Sequence, residues 1–412
     1  MALTFDYKVR DHGGKLVQGQ LDGDSLTLVV GKLREMGYMP IAVTPQSKVD
    51  VHREITIPGF SNRVKLGETA VVTRQLATMV ESGLSVVRAI GILAGQVDNK
   101  ELARVLGDVQ LDVERGSSLS AACAKHPNVF SKLFVTMVQA GEAGGHLDSV
   151  LLDLSSTMEK QAELQRKVRG AMTYPAVVVS VMVVIFLALL IFIVPTFQKL
   201  FSSLHATLPL PTRMLIRMSK TIISPAAVLI LAVIVTGVVL LRRWIKTDTG
   251  RKKWDAFKMR PPVFGPLAHK VALARFAHTL GSLVQSGVPI LESLDIVSDT
   301  AGNRIVGDAV LDAKAGVREG HSLADSLRKH EGVVPTLVIQ MIEVGEQTGQ
   351  LDNMLQKVGQ FYDGEVDATV NNLTSMLEPI LTVAMGAMVG SMVISMYLPM
   401  FDYVKLLQRP GE

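Results

Sequence analysis

Positions 204 residues apart in this chain carry matching residues over about 120 positions, with no net insertion. Ser82-Gly83-Leu84 returns as Ser286-Gly287-Val288, and the GEAGGHLD of residues 141–148 returns as the GEQTGQLD of residues 345–352. RGSSL at 115–119 matches EGHSL at 319–323, and Lys125-His126 matches Lys329-His330. Pro175, Pro195 and Phe197 have their counterparts in Pro379, Pro399 and Phe401. A register held for so long marks a duplicated structural unit, and the fold must be built from two copies of it.

The unit contains an apolar stretch. Residues 174–197 (YPAVVVSVMVVIFLALLIFIVPTF) and 378–400 (EPILTVAMGAMVGSMVISMYLPM) occupy equivalent places, and a third stretch lies between them at 222–241. Each is long enough to cross a bilayer, which needs about 20 apolar residues. A buried core helix of that length would normally keep a polar edge. These segments hold no charge beyond Glu378 at the head of the last one, and a charge at mid-membrane costs about 2.5–3.5 kcal/mol on insertion scales. Three transmembrane helices are therefore expected.

Flanking positive charges set their orientation. Lys160, Arg166, Lys167 and Arg169 precede the first span, and eight Lys and Arg residues between Arg242 and Arg260 follow the second. The loop 198–221 holds only Lys199, Arg213, Arg217 and Lys220. That loop is expected outside, with the N-terminus and both repeats cytoplasmic and the tail 401–412 outside by parity. The unpaired second span then has a purpose: it returns the chain so that both copies share one compartment. The opening MALTFDYKVRDHGGK lacks the apolar core of a signal peptide, so it is expected to stay on the side of synthesis.

The rest of the chain reads as mainly α. Helices are expected around 72–80, after Leu84, over 101–115, over 130–140, and from Leu147 straight into the first span, with the same series 204 residues later. This gives cytoplasmic helical repeats at 68–173 and 272–377, joined through a basic linker at 242–271. The first 45 residues differ. Phe5, Tyr7 and Val9 alternate, His12-Gly13-Gly14 marks a turn, and KLVQGQL follows as a second strand; a helix over 25–36 closes at Gly37 before a strand at IAV. A small α+β module is expected at 1–45, followed by a linker at 46–67.

Several kinds of chemistry are missing from the sequence. There is no GxxxxGK[ST] phosphate loop, since Gly14-Lys15 and Gly31-Lys32 lack the flanking residues; no HExxH, GxSxG or kinase signature occurs. Cys123 is the single cysteine and sits in a small-residue run, so it reads as a buried thiol. A net charge of +4 without a basic aromatic stripe gives no case for nucleic acid. No catalytic residue, cofactor or metal is expected, and any energy must come from a partner.

The repeated acidic turns are candidate sites: Gly141, Glu142, Gly145 and Asp148, with Gly345, Glu346, Gly349 and Asp352. Three readings fit them. The glycines bend the backbone while the acids cap a helix; the acids meet a neighbouring subunit; or the carboxylates hold a hard cation. In the third span Gly386 and Gly390 form a GxxxG pair that permits close helix approach. Met385, Met388, Met392 and Met396 share one face, either packing in the membrane or offering a deformable seat for a partner helix. Glu378, just before Pro379, reads as a hydrated interfacial acid, or a functional one if it lies deeper.

The segments TRQLATMVESG, AGEAGGHLD, AMTYP and FIVP, then RFAHTLGSLVQSGVPI, VGEQTGQLD and EP, resemble the type II secretion protein F / type IV pilus PilC family. FDYKVRD and LREMGYMP are similar to that family's N-terminal domain, and Ser85 and Asn128 are small departures. The resemblance covers nearly the whole chain. It implies an inner-membrane platform for type IV filaments, working with a hexameric assembly ATPase, with pilin or pseudopilin subunits and with other inner-membrane assembly proteins, and forming a homo-oligomer in the lipid bilayer. RQLATM with AMTYP leans towards the pilus branch. The contrasting reading is a small secondary transporter or channel subunit with parallel repeats, which would need broken spans and polar groups at mid-membrane.

Overall fold

The computed structural model describes residues 3–10, 16–23, 26–45, 63–203, 208–262 and 264–407. They divide between two compact units, Met1–Ser61 and Asn62–Glu412. The expected turn at His12–Gly14 and most of the linker 46–67 lie outside the described residues.

The first unit holds β1 (Leu3–Arg10), β2 (Leu16–Gly23), α1 (Leu26–Glu35) and β3 (Met39–Pro45). The sheet is antiparallel in the order β2-β1-β3. Period-two alternation sends Val9 to one face, where it is buried with Val29 and Leu33 of α1. The β1–β3 register slips between Lys8 and Val9.

The second unit is helical and twofold in sequence. Its first copy is α2 (Leu66–Glu81), α3 (Val86–Gln96), α4 (Lys100–Glu114), α5 (Leu119–Ala124), α6 (Lys132–Gly144) and α7 (Leu147–Ala188). After α7 come a π turn (Leu189–Ile193), α8 (Val194–Ser203), α9 (Leu210–Ile223), α10 (Ala226–Ile245) and α11 (Asp248–Met259). The second copy is α12 (Gly265–Gln285), α13 (Ile290–Thr300), α14 (Arg304–Arg318), α15 (Leu323–Arg328), α16 (Thr336–Thr348) and α17 (Leu351–Leu407). Helices α3 to α6 and α13 to α16 begin and end at positions related by the same 204-residue shift.

The shift extends to the bonds that start the helices. Asn99 accepts from the Glu101 N–H and Asn303 from the Ile305 N–H; Ser118 accepts from Ala121 N–H and Ser322 from Asp325 N–H. Each such cap meets a donor that the helix itself leaves unpaired. Within each copy the first helix lies against the last, α2 on α7 and α12 on α17. One continuous apolar core, with Phe134, Met137, Leu154, Phe276 and Leu283 fully buried, runs through both copies.

Some boundaries differ from the sequence reading. The short helix α5 was not expected; Ser118 starts it, and six residues are too few to show a helical period. Segment 198–221, read as a loop, is largely helix. In α9 Pro211 sits in the first turn and Ile216 and Ser219 turn inward, so the local pattern is amphipathic. The linker 242–271 likewise carries α11, capped by Thr247, and the opening residues 265–271 of α12.

Among the described residues three helices are long and apolar enough to cross a membrane: Leu147–Phe201, Ala226–Ile245 and Leu351–Phe401. In the most apolar 18-residue stretch of each, few residues are buried by the rest of the chain, and no residue of α10 is buried.

Candidate functional site

The acidic turns have a definite geometry. Gly145 and Gly349 end α6 and α16 with φ of 71° and 67°, a left-handed conformation that strains any residue with a Cβ. A Cβ on Gly141 would lie 3.1 Å from the Leu147 Cα, and one on Gly345 2.8 Å from the Leu351 Cα. Both glycines thus let the end of one helix lie against the start of the next. Glu142 accepts from the Leu119 and Ser120 N–H groups at 2.5 and 3.2 Å and from the Ser120 hydroxyl at 2.5 Å. Glu346 accepts from the Leu323 and Ala324 N–H groups at 2.7 and 3.0 Å. A carboxylate there also suits the positive end of α5 or α15.

Asp148 and Asp352 stand in the first turn of α7 and α17, and neither shares a hydrogen bond with the glutamate of its turn. Among the described residues no group of three or more His, Cys, Asp and Glu is placed to hold a metal ion. Cys123 is buried, and burial pushes its thiol well above the ordinary range.

The membrane candidates split. Met392 and Met396 are buried with Leu190, Val194 and Ile216 in a cluster formed by the first span, the third span and α9. Met388 is half-buried, while Met385 is 37% exposed. Gly386 and Gly390 have nothing within 4 Å of where a Cβ would be, so no helix among the described residues uses their close-approach surface. Glu378 is exposed.

At this cluster the first span departs from its copy. Residues 189–193 form a π turn, whereas α17 passes the equivalent place as regular α-helix. Pro195 and Pro399 are both present, so proline alone does not decide it. Helix α9 distinguishes the two: the Ser219 hydroxyl donates to the Leu190 carbonyl at 2.6 Å, inside the π turn. Such turns leave carbonyls without their regular partner, and here a side chain supplies one. Thr212, in the first turn of α9, donates to the Ser395 carbonyl of α17.

Above the spans the two copies meet through α7, which lies along α12 and α17. The Thr157 and Ser282 hydroxyls are 2.5 Å apart, Gln161 donates to Thr279 at 3.2 Å, and Lys167 donates to Asp367 at 2.9 Å. That last bond raises the Lys167 pKa. A cavity of about 440 Å³ separates Thr136 and Gln139 of α6 from the turn at Ser286–Pro289.

The family model described as type II secretion system (T2SS), protein F matches residues 72–195 and again 276–399, and the protein F N-terminal domain matches 1–44. The chain belongs to the type II secretion system protein F family. The two core matches are themselves offset by 204 residues, and they coincide with the duplicated bundles and their spans. Type IV pilus assembly protein PilC of Myxococcus xanthus is 40% identical over 98% of this chain and 96% of its own length. The protein of the same name from Thermus thermophilus is also 40% identical, over 98% and 99%. Type II secretion system protein F of Pseudomonas aeruginosa is 32% identical, over 98% and 99%.

In this protein F family member, sequence reasoning passed over the cross-braces of each bundle. Arg74 of α2 forms a two-bond ion pair with Glu159 of α7, at 3.0 and 2.8 Å. At the equivalent positions in α12 and α17 stand His278 and Asp363. The signal was available: of two residues far apart in sequence, both change between copies while their hydrogen-bonding complementarity is kept. Nothing in the sequence pointed to Ser219 or Thr212, which become notable only once α9 is a helix against the spans.

Proposed function

We propose that this chain is the inner-membrane platform of a type IV filament machine, coupling a cytoplasmic assembly ATPase to the insertion of pilin or pseudopilin subunits. The names of its relatives support the machine, and the two pilus assembly relatives at 40% identity favour the pilus branch over the secretion relative at 32%. One observation supports coupling. The last helix of each bundle is also a membrane span: α17 runs unbroken for 57 residues, about 85 Å at 1.5 Å per residue. A force on either bundle therefore reaches the bilayer without crossing a loop.

In this reading both bundles and the N-terminal module face the cytoplasm, where a hexameric ATPase and other inner-membrane assembly proteins meet them. The acidic turns act inside each bundle as helix caps. The exposed Gly386–Gly390 face, with Met388 and the Glu378 carboxylate, is the seat for a subunit's apolar helix; Met392, being buried, supports that seat from behind. The chain itself carries no reaction.

The test uses purified full-length chain in nanodiscs with its cognate ATPase. We expect no hydrolysis by the chain alone and a several-fold rise in ATPase turnover when it is added. Intrinsic turnover in a clean preparation, or an ATPase indifferent to the chain, sinks the coupling role.

A further inference from the structure

Helix α11 follows the second span after a two-residue turn. That turn is tight. The Thr247 hydroxyl donates to the Trp244 carbonyl at 2.6 Å and accepts from the Gly250 N–H at 3.2 Å, and a Cβ on Gly250 would run into the same carbonyl. Helix α11 therefore starts pressed against the end of α10. One side of it is fastened to the second bundle: buried Asp255 accepts from the Arg304 N–H at 3.0 Å, Lys252 pairs with Asp308 at 2.7 Å, and Met259 packs with Ala272, Ala301 and Val306. The other side is bare. Phe257 is 58% exposed and stacks on half-buried Trp254, with ring centroids 5.8 Å apart. Lys253 and Arg260, four residues before Phe257 and three after it, are exposed neighbours of that ring on the helix surface.

Residues 242–260 hold eight Lys and Arg against two acids, Asp248 and Asp255. Lys252 and Lys258 are paired, with Asp308 and Asp255; Arg242, Arg243, Lys246, Arg251, Lys253 and Arg260 form no ion pair among the described residues. Exposed aromatic rings among unpaired cations, at the end of an uncharged span, suit a membrane surface: rings settle at headgroup depth and cations meet phosphates. The geometry points to anionic phospholipid headgroups as the occupant of this face, with Trp254 and Phe257 in the interface and Arg251, Lys253 and Arg260 on the phosphates. Because Asp255 and Lys252 fasten the same helix to α14, charged lipid then holds the second bundle down on the bilayer. The inference rests on the proposed placement of the second span in the membrane, and its test makes no use of the ATPase.

The two tryptophans of the chain are Trp244 and Trp254, so fluorescence reads this junction directly. Full-length W244F, which keeps Trp254, and W254F, which keeps Trp244, are reconstituted in vesicles of equal parts phosphatidylglycerol and phosphatidylcholine. Bromine is carried on the acyl chains of one lipid or of the other, so the composition is the same in both sets and in both leaflets, and the orientation of the chain does not matter. We expect brominated phosphatidylglycerol to quench Trp254 about twofold more than brominated phosphatidylcholine does. The preference should vanish when R251Q, K253Q and R260Q are added, and shrink at about 1 M salt, where the screening length falls to about 3 Å. Trp244 should be quenched by both labels. With Trp244 quenched, equal or absent quenching of Trp254 overturns the proposal and leaves an acidic protein surface as the occupant. A preference undiminished by the triple change or by salt overturns it too. An unquenched Trp244 overturns the placement of the span itself, and the proposal with it.

Discussion

His278 Nε2 lies 2.8 Å from Asp363 Oδ2, at the place where Arg74 and Glu159 pair in the other copy. The two braces differ in burial. His278 is 3% exposed and packs against Gly359, whereas the Arg74 and Glu159 side chains are 38% and 43% exposed. Asp363 already has one buried oxygen, Oδ1, with no partner among the described residues. Removing His278 therefore leaves a carboxylate unsatisfied and a hole beside it. We expect His278→Ala to lower stability by about 2–4 kcal/mol, and Arg74→Ala by about 0–1 kcal/mol. Thermal unfolding in detergent compares them, and equal losses would contradict the burial argument.

The exposed brace carries a pH signature. Hydrogen bonds from Arg74 hold the Glu159 carboxyl below its ordinary 4.5, against a smaller upward push from burial. A depressed folded-state pKa gives stability that is complete above the unfolded value and lost as pH falls through the folded one. The melting temperatures of the parent and Glu159→Gln should thus differ by a constant amount at neutral pH. The gap should narrow below about pH 4.5, and a gap that widens on acidification would contradict the brace. Exposure keeps the effect small.

Glu142→Ala and Glu346→Ala each remove the acceptor for two backbone N–H groups at the start of a six-residue helix. Each should cost about 1–2 kcal/mol. Hydrogen exchange should show the loss first at residues 119–124 for Glu142→Ala and at 323–328 for Glu346→Ala. Added calcium should not alter either result. A calcium-dependent rise in the parent's melting temperature, absent in both variants, would favour a cation at the turns instead.

Glycine positions separate packing inside the chain from packing against a partner. Gly141→Ala and Gly345→Ala push a Cβ into the following helix and should destabilise by about 1–3 kcal/mol. Gly386→Ala and Gly390→Ala meet open space and should leave the melting temperature unchanged. If filament assembly falls with those two variants while the chain stays folded and inserted, the GxxxG face seats a partner helix. Full assembly by Gly386→Leu would remove that role.

Helix α9 offers a local check. Ser219→Ala deletes the donor to the Leu190 carbonyl, a loss of about 0.6–2 kcal/mol for a bond between membrane-associated helices. The variant should also shift the first span towards regular α-helix at 189–193. Site-specific infrared spectra of labelled Leu190 would show the carbonyl band move, and an unmoved band would separate Ser219 from the π turn.

The duplication, the three spans and the helix series were legible because each rests on local pattern: a fixed offset, a run without charge, a 3.6-residue period ended by glycine. The turn at Gly141–Asp148 was legible as a turn, but its carboxylate's partners were not, since Leu119 and Ser120 lie 23 and 22 residues back in the chain. Segment 198–221 was read only as a connection between spans; that α9 packs on the first and third was not legible, because Leu190, Met392 and Met396 reach it from elsewhere in the chain.

The sequence by itself therefore determined that one helical unit occurs twice, each copy entering the membrane through its last helix. It could not say that the copies are unequal in use. Thr157 and Phe361 hold the same place in the same helix, yet one is buried against Ser282 and the other faces outward. Helical periodicity establishes which residues share a face. What covers that face depends on groups brought together from more than 100 residues away, and only the tertiary structure decides that.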